Sequence, residues 1–580
     1  MPIDNGLKTI SDLFSGDRVF EIPIYQRPYA WGDQQVRDLL EDIRNLSRGK
    51  EHYFGTVLVK DSGQQHSRLE TVDVVDGQQR LTTLQVLMSE SIRRLEKDLP
   101  EARYKRLKER YVSVDGIPKL SPSALDKGYF QRHILEDEPY PDRAETPSQT
   151  RLKSAKKLIR DYLGSLTTDE AQQFLDRTEK LRVLVYTVRT DGEAALVFET
   201  TNDRGRPLTF LEKTKSFLMH QSYVVLEKPE PALELLSEKF ADIYKLLDHL
   251  ENNPILKREE DDILRYNFIL FADWNSKKDF PEHFSIVKAS ITEMARKENA
   301  GSVADYIDRY STSLRQVFTS VKEVLQAAQD ASTDEGRCLF DILCGLGLHA
   351  NIVPLLAAAW IEVRRNPTPE SERDLLDLLR AIERFSFKTY VGGRRKSDTG
   401  LTDLSTLAWE LYHQKKSVRE ARAALEGLGR NLVTRAQFEG TFRSETFLAD
   451  SSTDYVKYLL WKYEGDVRVQ SHPKEPLAIS AQDIFSEKVE VEHILARNSP
   501  LPKEEKERYI DRLGNLALAS KPANASMSDK PFIEKKTKYY SKSSFRMQQD
   551  LVVNATWGEP EIDRRTEALV QFAIRRWFES

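Results

Sequence analysis

Four residues near the end of the chain combine side-chain types that can hydrolyse a phosphodiester. Glu492 and His493 close an alternating run that starts at Val489, and Asn515 and Asn524 follow in that order. A histidine that is neutral near pH 7 can accept a proton from water, and carboxylate and amide oxygens suit Mg²⁺ or Mn²⁺. We therefore predict a catalytic pair, His493 as general base and Asn515 as the residue that pins its loop, with Glu492 and Asn524 as metal ligands.

The elements that must position these residues can be read from the same segment. Lys488–Leu495 alternates like a strand, and Phe532–Lys538 has a helical pattern. An acidic residue with histidine, then asparagine, then asparagine before a helix is the order of a ββα-metal nuclease site. The alternative for His493 alone is a surface or core histidine with a structural role.

The stretch from Lys521 to Arg546 carries seven positive and two negative residues inside an acidic protein. Positive side chains beside a metal site would hold DNA phosphates. The lysines predicted to do so are Lys530, Lys535, Lys536 and Lys538. The alternative is an ordinary solvated helix face.

A second group of polar residues follows the apolar pair Val74–Val75. The sequence DGQQR predicts the end of a strand, a tight turn at Gly77 and the start of a helix. Free N–H groups at a helix start bind anions, and Arg80 can grip a phosphate with two hydrogen bonds. Asp76 could hold a metal or activate water. The candidate anion-binding residues are Asp76, Gly77, Gln78, Gln79 and Arg80.

Two further blocks are candidates for the same site. IPIYQRPYAW places Tyr25, Gln26 and Arg27 between two prolines and Tyr29 directly after the second, and FETTNDRGRPL contains Asn202, Asp203 and Arg204. Arg204 could add a phosphate clamp, and Asp203 could orient an arginine. The alternatives are a proline-rich loop packed on a core and a turn that caps a helix. Neither a Walker A motif nor GxGxxG occurs, which excludes a standard P-loop or Rossmann site.

Composition limits the class of protein. The 580 residues are 39% hydrophobic and 31% charged with a net charge of −5, which excludes wholesale disorder and a chain that is basic throughout. Two cysteines without CxxC argue against a disulfide scaffold and a thiolate zinc site. The N-terminus lacks a signal-peptide pattern, and the longest apolar run, Ile352–Ile361, is about half of the ~20 residues that span a membrane. We expect a cytoplasmic protein without a membrane partner.

The distribution of residue types along the chain predicts an α+β multidomain protein. Runs rich in β-branched residues at Phe54–Val59, Thr71–Val75 and Leu181–Val188 read as strands within an N-terminal α/β domain, residues 1–225. Residues 226–430 read as mostly helical, with helical spacing in Leu233–Leu250 and Leu375–Phe387. Residues 431–580 form the third predicted domain.

Together these blocks resemble the GmrSD-type family of modification-dependent, type IV restriction endonucleases. The N-terminal blocks look like a GmrS-type domain; VEVEHILARN and DRLGNLALASKPANASMSDKPF look like a GmrD-type HNH domain. The resemblance implies a ParB/sulfiredoxin-like domain that binds and hydrolyses NTP (ATP or GTP) at DGQQR, helped by Gln26, Arg27, Asn202, Asp203 and Arg204. It also implies a metal-dependent HNH nuclease, with Tyr25 and Tyr29 near the DNA.

The expected function is therefore an NTP-dependent endonuclease that cleaves double-stranded DNA carrying hydroxymethylated or glucosylated cytosine, in defence against phages. Two alternatives stay open. One is an NTP-coupled nicking protein that senses phosphorothioate DNA, and the other is a nucleotide-switched DNA-binding protein without nuclease activity. Family behaviour makes a homodimer plausible, since two nicks give a double-strand break.

Overall fold

The computed structural model describes residues 3–23, 26–45, 53–66, 69–122, 124–141, 144, 146–190, 193, 209–250, 259–297, 299–330, 332–347, 351–471, 481–500 and 502–579. The chain divides into two compact units. The first comprises Met1–Phe268 and Lys278–Thr319, and the second comprises Ile269–Lys277 and Ser320–Ser580.

The first unit is built around a mixed sheet. Among the described residues, six strands lie in the order β1-β8-β3-β4-β2-β7. They are β1 (Gly6–Thr9), β2 (Arg18–Glu21), β3 (Tyr53–His66), β4 (Leu69–Asp76), β7 (Leu120–Ser121) and β8 (Arg182–Val188). β3 pairs antiparallel with β4 and parallel with β8. β4 is an internal strand between β3 and β2, and the DGQQR turn begins at its last residue, Asp76. A two-residue hairpin, β5 (Ser113–Val114) with β6 (Ile117–Pro118), lies apart.

Helices cover this sheet and continue along the chain. They are α1 (Ile10–Leu13), α2 (Asp33–Arg44), α3 (Gln78–Arg94), α4 (Glu101–Tyr111), α5 (Ala124–Tyr129), α6 (Pro147–Gly164), α7 (Thr168–Glu179), α8 (Phe210–Val225), α9 (Glu230–Leu250), α10 (Glu260–Phe271), α11 (His283–Lys297) and α12 (Ala300–Gln329). A π-helical turn, Phe130–Leu135, follows α5, and a 3₁₀ turn, Lys277–Asp279, precedes α11.

The core of the first unit forms around α3. Leu81, Leu84 and Leu87 on this helix are buried with Val57 and Val74 from the neighbouring strands. Every residue of α3 from Leu81 to Ile92 is buried, because the helix is covered on all sides. The DGQQR turn is therefore held between a buried strand and a buried helix.

The described residues of the second unit are mainly helical as far as residue 484. Its helices are α13 (Asp334–Phe340), α14 (Val353–Arg365), α15 (Pro369–Ser386), α16 (Leu401–Tyr412), α17 (Val418–Leu432), α18 (Arg435–Phe442), α19 (Thr453–Ser471) and α20 (Ala481–Ile484). Two π-helical turns, Asp341–Gly345 and Phe387–Gly392, lie among them. Thr368, Ser417 and Thr434 begin helices with capping boxes, which satisfy backbone N–H groups that the first helical turn leaves free.

The last part of the chain contains a hairpin followed by short helices. β9 (Val489–His493) pairs antiparallel with β10 (Leu516–Ser520), so that His493 faces Leu516 and Glu490 faces Ala519. The helices are α21 (Lys503–Tyr509) within the connection, then α22 (Lys521–Met527), α23 (Phe532–Lys538), α24 (Arg546–Gln549) and α25 (Glu559–Ala573). A 3₁₀ turn at Leu513–Asn515 leads into β10, further 3₁₀ turns lie at Tyr540–Lys542 and Asp550–Val553, and a π-helical turn, Ile574–Phe578, follows α25.

The structure confirms the mixed α+β class and the main predicted elements. The three predicted N-terminal strands lie in β3, β4 and β8, and the alternating run before His493 forms β9. The predicted helix Phe532–Lys538 is α23. In the part of the chain that is described, no helix combines the length and apolar character needed to cross a bilayer. The ParB-like and HNH assignments stay predictions.

Candidate functional site

His493 ends β9 with its ring beside Asp511. Nε2 of His493 lies 3.4 Å from Oδ1 of Asp511, and the guanidinium of Arg497 lies 3.7 Å from the same oxygen. Asp511 was not among the predicted site residues. Asp511 begins the DRLGN run that also contains Asn515, 18 residues after His493, but nothing in that run indicates a contact with the histidine.

The surroundings of His493 keep its imidazole neutral. Burial, together with the positive charge of Arg497, lowers the pKa of His493 to about 4, while the hydrogen bond with Asp511 acts in the opposite direction. A neutral imidazole offers one nitrogen that can accept a proton. This protonation state is the one that a general base requires.

Asn515 pins the backbone that follows His493. Its side chain is fully buried, with Oδ1 accepting from the Leu495 N–H at 2.7 Å and Nδ2 donating to the Leu495 carbonyl at 3.1 Å. Nδ2 also donates to the Ile510 carbonyl, and Oδ1 accepts from Nε1 of Trp557. These are contacts through which the predicted pinning role could act.

The turn that carries Asn515 is itself held by α25. Arg565 donates to the carbonyls of Gly514 and Leu516, and the Gly514 N–H donates to Oγ1 of Thr566. A Cβ on Gly514 would lie 2.1 Å from the Ile562 carbonyl oxygen, so α25 packs directly on backbone here. The position of Asn515 is therefore fixed from two sides.

Glu492 lies in a buried ion pair. Its Oε1 accepts from Nζ of Lys535 at 2.6 Å and from the hydroxyl of Tyr540 at 3.2 Å. Lys535 also donates to the His493 carbonyl at 2.8 Å. Burial raises the pKa of Glu492, and the charge of Lys535 opposes this effect.

This pair corrects the prediction for Lys535. We expected an exposed lysine that contacts DNA phosphates, whereas its side chain is 1% exposed and paired with Glu492. Lys535 therefore anchors α23 to β9 and does not reach a phosphate in this conformation.

The other predicted phosphate-binding lysines lie closer to solvent. Lys538 is exposed in an ion pair with Glu534 at 3.0 Å. Lys536 and Lys530 are half-buried, and their ammonium groups donate to the carbonyls of Asn554 and Ser526. Their predicted contact with DNA stays a prediction.

Asn524 lies in α22 and has a different carboxylate as its partner. Its Nδ2 donates to Oε2 of Glu490 at 2.8 Å. The two predicted metal ligands, Glu492 and Asn524, thus have separate partners. Glu490, which was not predicted, is the partner of Asn524. It lies two residues before Glu492 on the same face of β9.

Whether this end of the hairpin suits a divalent cation depends on its oxygen donors. In the described part of the chain no three His, Cys, Asp or Glu side chains form a metal-binding group. One of the two predicted ligands, however, is the amide of Asn524, a residue type that such a group does not include. The Asn524 amide beside the Glu490 carboxylate offers oxygen atoms of the kind that Mg²⁺ and Mn²⁺ prefer. Glu492 could bind the same cation only through Oε2, because its Oε1 accepts a hydrogen bond from Lys535.

In the first unit, Gly77 forms the turn between β4 and α3. Its φ of +88° is in the left-handed region, and a Cβ there would lie 3.0 Å from Cγ2 of Val57. Asp76 precedes it, and burial raises the pKa of Asp76 while the charge of Arg80 opposes this effect. Gln78, the first residue of α3, is half-buried.

Arg80 is tied to the neighbouring strand β3. It lies in the first turn of α3, half-buried, and Nη1 donates to the Thr56 carbonyl at 2.8 Å. Gly55 makes room for it, since a Cβ on Gly55 would lie 2.8 Å from the same nitrogen. Arg80 therefore bridges the helix start to β3, and its predicted contact with phosphate stays a prediction.

The segment containing Gln26 is joined to the DGQQR turn by hydrogen bonds. Gln26 donates to the Val75 carbonyl at 2.7 Å. Gln79 accepts from the Ala30 N–H at 2.7 Å and donates to the Pro28 carbonyl at 3.1 Å. Two predicted blocks about fifty residues apart in sequence thus form one structural group.

The aromatic and loop predictions have separate outcomes. Tyr29 is 4% exposed and its hydroxyl lies 2.9 Å from Oγ1 of Thr83, so it is a core residue and not the DNA contact that we expected. Four predicted residues lie outside the described part of the chain: Tyr25, Asn202, Asp203 and Arg204.

Glu260, at the start of α10, is a further residue near this group that the sequence did not reveal. It is 7% exposed, and among the described residues its Oε2 has no hydrogen-bond partner. Burial raises the pKa of Glu260 to about 7, whereas the charge of Arg27 and a hydrogen bond from Thr209 act to lower it. The predicted site residue Arg27 thus lies close to a carboxylate from a distant part of the chain.

Comparison with protein families gives two matches. Residues 10–219 match the model described as the GmrSD restriction endonuclease N-terminal domain. Residues 433–572 match the model described as the GmrSD restriction endonucleases C-terminal domain. The two matches together cover more than half of the chain, and both candidate groups of residues lie within them. No curated protein matches the chain.

Proposed function

The chain belongs to the GmrSD family of restriction endonucleases, and we propose that it is an NTP-dependent type IV enzyme that cleaves modified double-stranded DNA in phage defence. The modification we propose is hydroxymethylated or glucosylated cytosine. The observation that best supports the proposed site is the double hydrogen bond between Asn515 and Leu495, which fixes the backbone directly after His493. Such rigid support is what a catalytic side chain needs.

The proposed chemistry begins with His493. Its imidazole accepts a proton from water, the water oxygen bonds to phosphorus, and the bond between phosphorus and the leaving sugar oxygen breaks. The leaving oxygen takes a proton from solvent. Asp511 holds the ring by the contact at Nε2, and Asn515 holds the strand end. The proton then lies on the imidazole, which can return it to solvent.

A divalent cation, Mg²⁺ or Mn²⁺, would neutralise charge on the phosphate and on the leaving oxygen when bound. In this proposal the amide oxygen of Asn524 and a carboxylate of β9 hold it. Sequence reasoning assigns that carboxylate to Glu492, whose Oε1 is engaged by Lys535. Lys530, Lys536 and Lys538 would contact phosphates beside the site.

The proposed nucleotide site lies at the DGQQR turn. Backbone N–H groups at the start of α3 and the guanidinium of Arg80 would bind phosphates, with Arg27 nearby. Gln26 and Gln79 hold the two loops together. Asn202, Asp203 and Arg204 belong to the proposal on sequence grounds alone.

Cleavage of two DNA types tests the nuclease. Purified protein is incubated with glucosylated or hydroxymethylated phage DNA and with plasmid, each with and without Mg²⁺ and NTP. We expect cleavage of the modified DNA only, and a loss of about 10²- to 10⁴-fold in His493→Ala. His413→Ala, an exposed histidine of the same unit, is the matched control. Equal cleavage by wild type and His493→Ala would remove His493 from the mechanism.

One observation favours a second candidate, a nucleotide-switched DNA-binding protein without nuclease activity. The carboxylate of Glu492 already pairs with a buried ammonium, so in this candidate it has a structural role and binds no metal ion. This candidate predicts NTP-dependent DNA binding with no metal-dependent nicking of supercoiled plasmid. Including phosphorothioate DNA in the same assay tests the third possibility, a sensor of backbone sulfur. Light scattering of the purified protein tests the proposed homodimer.

A further inference from the structure

The contact between Asn524 and Glu490 bears on how the proposed metal site is set up. An asparagine amide presents an oxygen on one side and an NH₂ on the other, and only the oxygen binds a cation. Rotation by half a turn about the last side-chain bond would present the wrong end. A metal-binding asparagine therefore benefits from a neighbour that selects one orientation.

Glu490 can make this selection. An ionised carboxylate only accepts hydrogen bonds, so the atom of Asn524 that faces Oε2 of Glu490 at 2.8 Å has to be Nδ2. The amide oxygen is then turned away from Glu490. Glu490 lies opposite Ala519 near the end of β10, and Asn524 follows within the first turn of α22, so the hairpin itself brings the two residues together.

Glu492 cannot replace Glu490 in this contact. Both carboxylates lie on the same face of β9, but Oε1 of Glu492 is held by Lys535 and Tyr540 inside the core. Glu490 is half-buried and reaches Asn524 at the surface of α22. The two carboxylates of the EVEH sequence thus have different tasks.

We infer that Glu490 is a positioning residue, which orients the amide of Asn524 so that its oxygen faces the divalent cation. This inference rests on the proposed function, because that function supplies the cation. It assigns a task to a residue that the histidine–asparagine motif does not include.

Mn²⁺ binding to the full-length protein without DNA tests the inference, by titration calorimetry or by the Mn²⁺ electron paramagnetic resonance signal. Glu490→Ala is expected to weaken Mn²⁺ binding by about 10- to 100-fold. Glu490→Gln keeps an acceptor for Nδ2 and is expected to bind Mn²⁺ nearly as tightly as wild type. Glu487→Ala removes a carboxylate that is 96% exposed in the same segment, and is expected to change nothing.

A double variant separates positioning from a direct role. If Glu490 acts through Asn524, then Glu490→Ala has no further effect on Mn²⁺ affinity in an Asn524→Ala background. Equal losses in Glu490→Gln and Glu490→Ala would overturn the inference, because they would make Glu490 itself a ligand. Wild-type affinity in Glu490→Ala would overturn it as well.

The outcome also separates this inference from the proposed function. Wild-type protein that fails to bind Mn²⁺ would remove the proposed metal site and the inference with it. Wild-type binding together with an unaffected Glu490→Ala variant would remove the inference alone. Circular dichroism spectra of all variants check that the second unit has folded.

Discussion

The ammonium of Lys535 lies 2.6 Å from the carboxylate of Glu492, and the two side chains are 1% and 5% exposed. Buried charges are expensive unless each has its partner. The hydroxyl of Tyr540 and the His493 carbonyl complete the hydrogen bonding of the pair. The pair therefore joins α23 to the strand that carries the candidate base.

Removing one member of this pair should destabilise the second unit strongly. We expect Lys535→Ala to lower its free energy of unfolding by about 3–5 kcal/mol, because Glu492 is left buried without a counter-ion. The double variant Glu492→Gln with Lys535→Met should recover much of this loss. Urea unfolding followed by tryptophan fluorescence measures both.

Lys538→Ala is the matched control, since its ion pair with Glu534 is largely exposed. We expect a change of less than about 1 kcal/mol there. If Lys535→Ala proves as mild as Lys538→Ala, the buried pair contributes little to stability.

Lys535 also shows where the sequence interpretation failed. We read the lysines of α23 by their charge, as one exposed basic group. Phe532 and Lys535 are both buried, whereas Lys538, three residues farther on in the last turn of the helix, is exposed. Strand β9 and helix α23 followed from local patterns, but the rotation of a short helix against its neighbours is set by tertiary packing.

Asn515 should be needed for both stability and cleavage. In Asn515→Ala the backbone of Leu495, the Ile510 carbonyl and the Trp557 N–H lose a buried partner. We expect the free energy of unfolding to fall by at least about 3 kcal/mol, at ~1–3 kcal/mol for each unsatisfied group. Cleavage of modified DNA should fall as well, because the backbone beside His493 loses its support.

Asn498→Ala provides the comparison for this change, since the Asn498 side chain donates to Asp529 at an exposed position. Its stability and its cleavage rate should stay near those of wild type. A stable Asn515→Ala protein that cleaves at the wild-type rate would contradict the pinning role.

Arg80 should matter for nucleotide turnover more than for folding. We expect Arg80→Ala to reduce NTP hydrolysis by about tenfold or more, since a charge-assisted contact to phosphate is lost. The Thr56 carbonyl also loses a donor, which should lower stability by about 1 kcal/mol. Phosphate release and thermal unfolding measure the two effects, with the exposed Arg106→Ala as control. Normal turnover in folded Arg80→Ala would place the nucleotide elsewhere.

The sequence predicted the DGQQR turn and the segment containing Gln26 as separate candidates, but not that hydrogen bonds join them. The turn at Gly77 followed from the sequence, because a strand pattern, a glycine and a helix pattern are adjacent. The hydrogen bonds from Gln26 and Gln79 connect segments about fifty residues apart, which no local pattern reports. Glu260 comes from still farther along the chain, where REEDD looks like any charged helix start.

Glu260 should make the stability of the first unit dependent on pH. Its pKa is raised to about 7 by burial, above the value of 4.5 for a free glutamate, so the folded protein holds the proton more tightly than the unfolded chain. The stabilisation from this proton is complete below about pH 4.5 and is lost as the pH rises through 7. The difference is of the order of 3 kcal/mol.

Urea unfolding of wild type and Glu260→Gln at about pH 5 and about pH 8 measures this difference. Wild type should lose stability relative to Glu260→Gln at the higher pH, while the exposed Glu259→Gln should follow wild type. Parallel pH profiles for wild type and Glu260→Gln would show that Glu260 titrates normally.

The missing side chain of Gly514 makes the C-terminal helix inseparable from the hairpin. Since α25 lies directly on this turn, and Trp557 just before it donates to Asn515, the hairpin has no outer surface of its own on that side. A recombinant fragment that ended before residue 557 would expose the buried carboxamide to water. Anyone isolating β9 and β10 for crystallisation or directed evolution therefore has to carry the chain through α25.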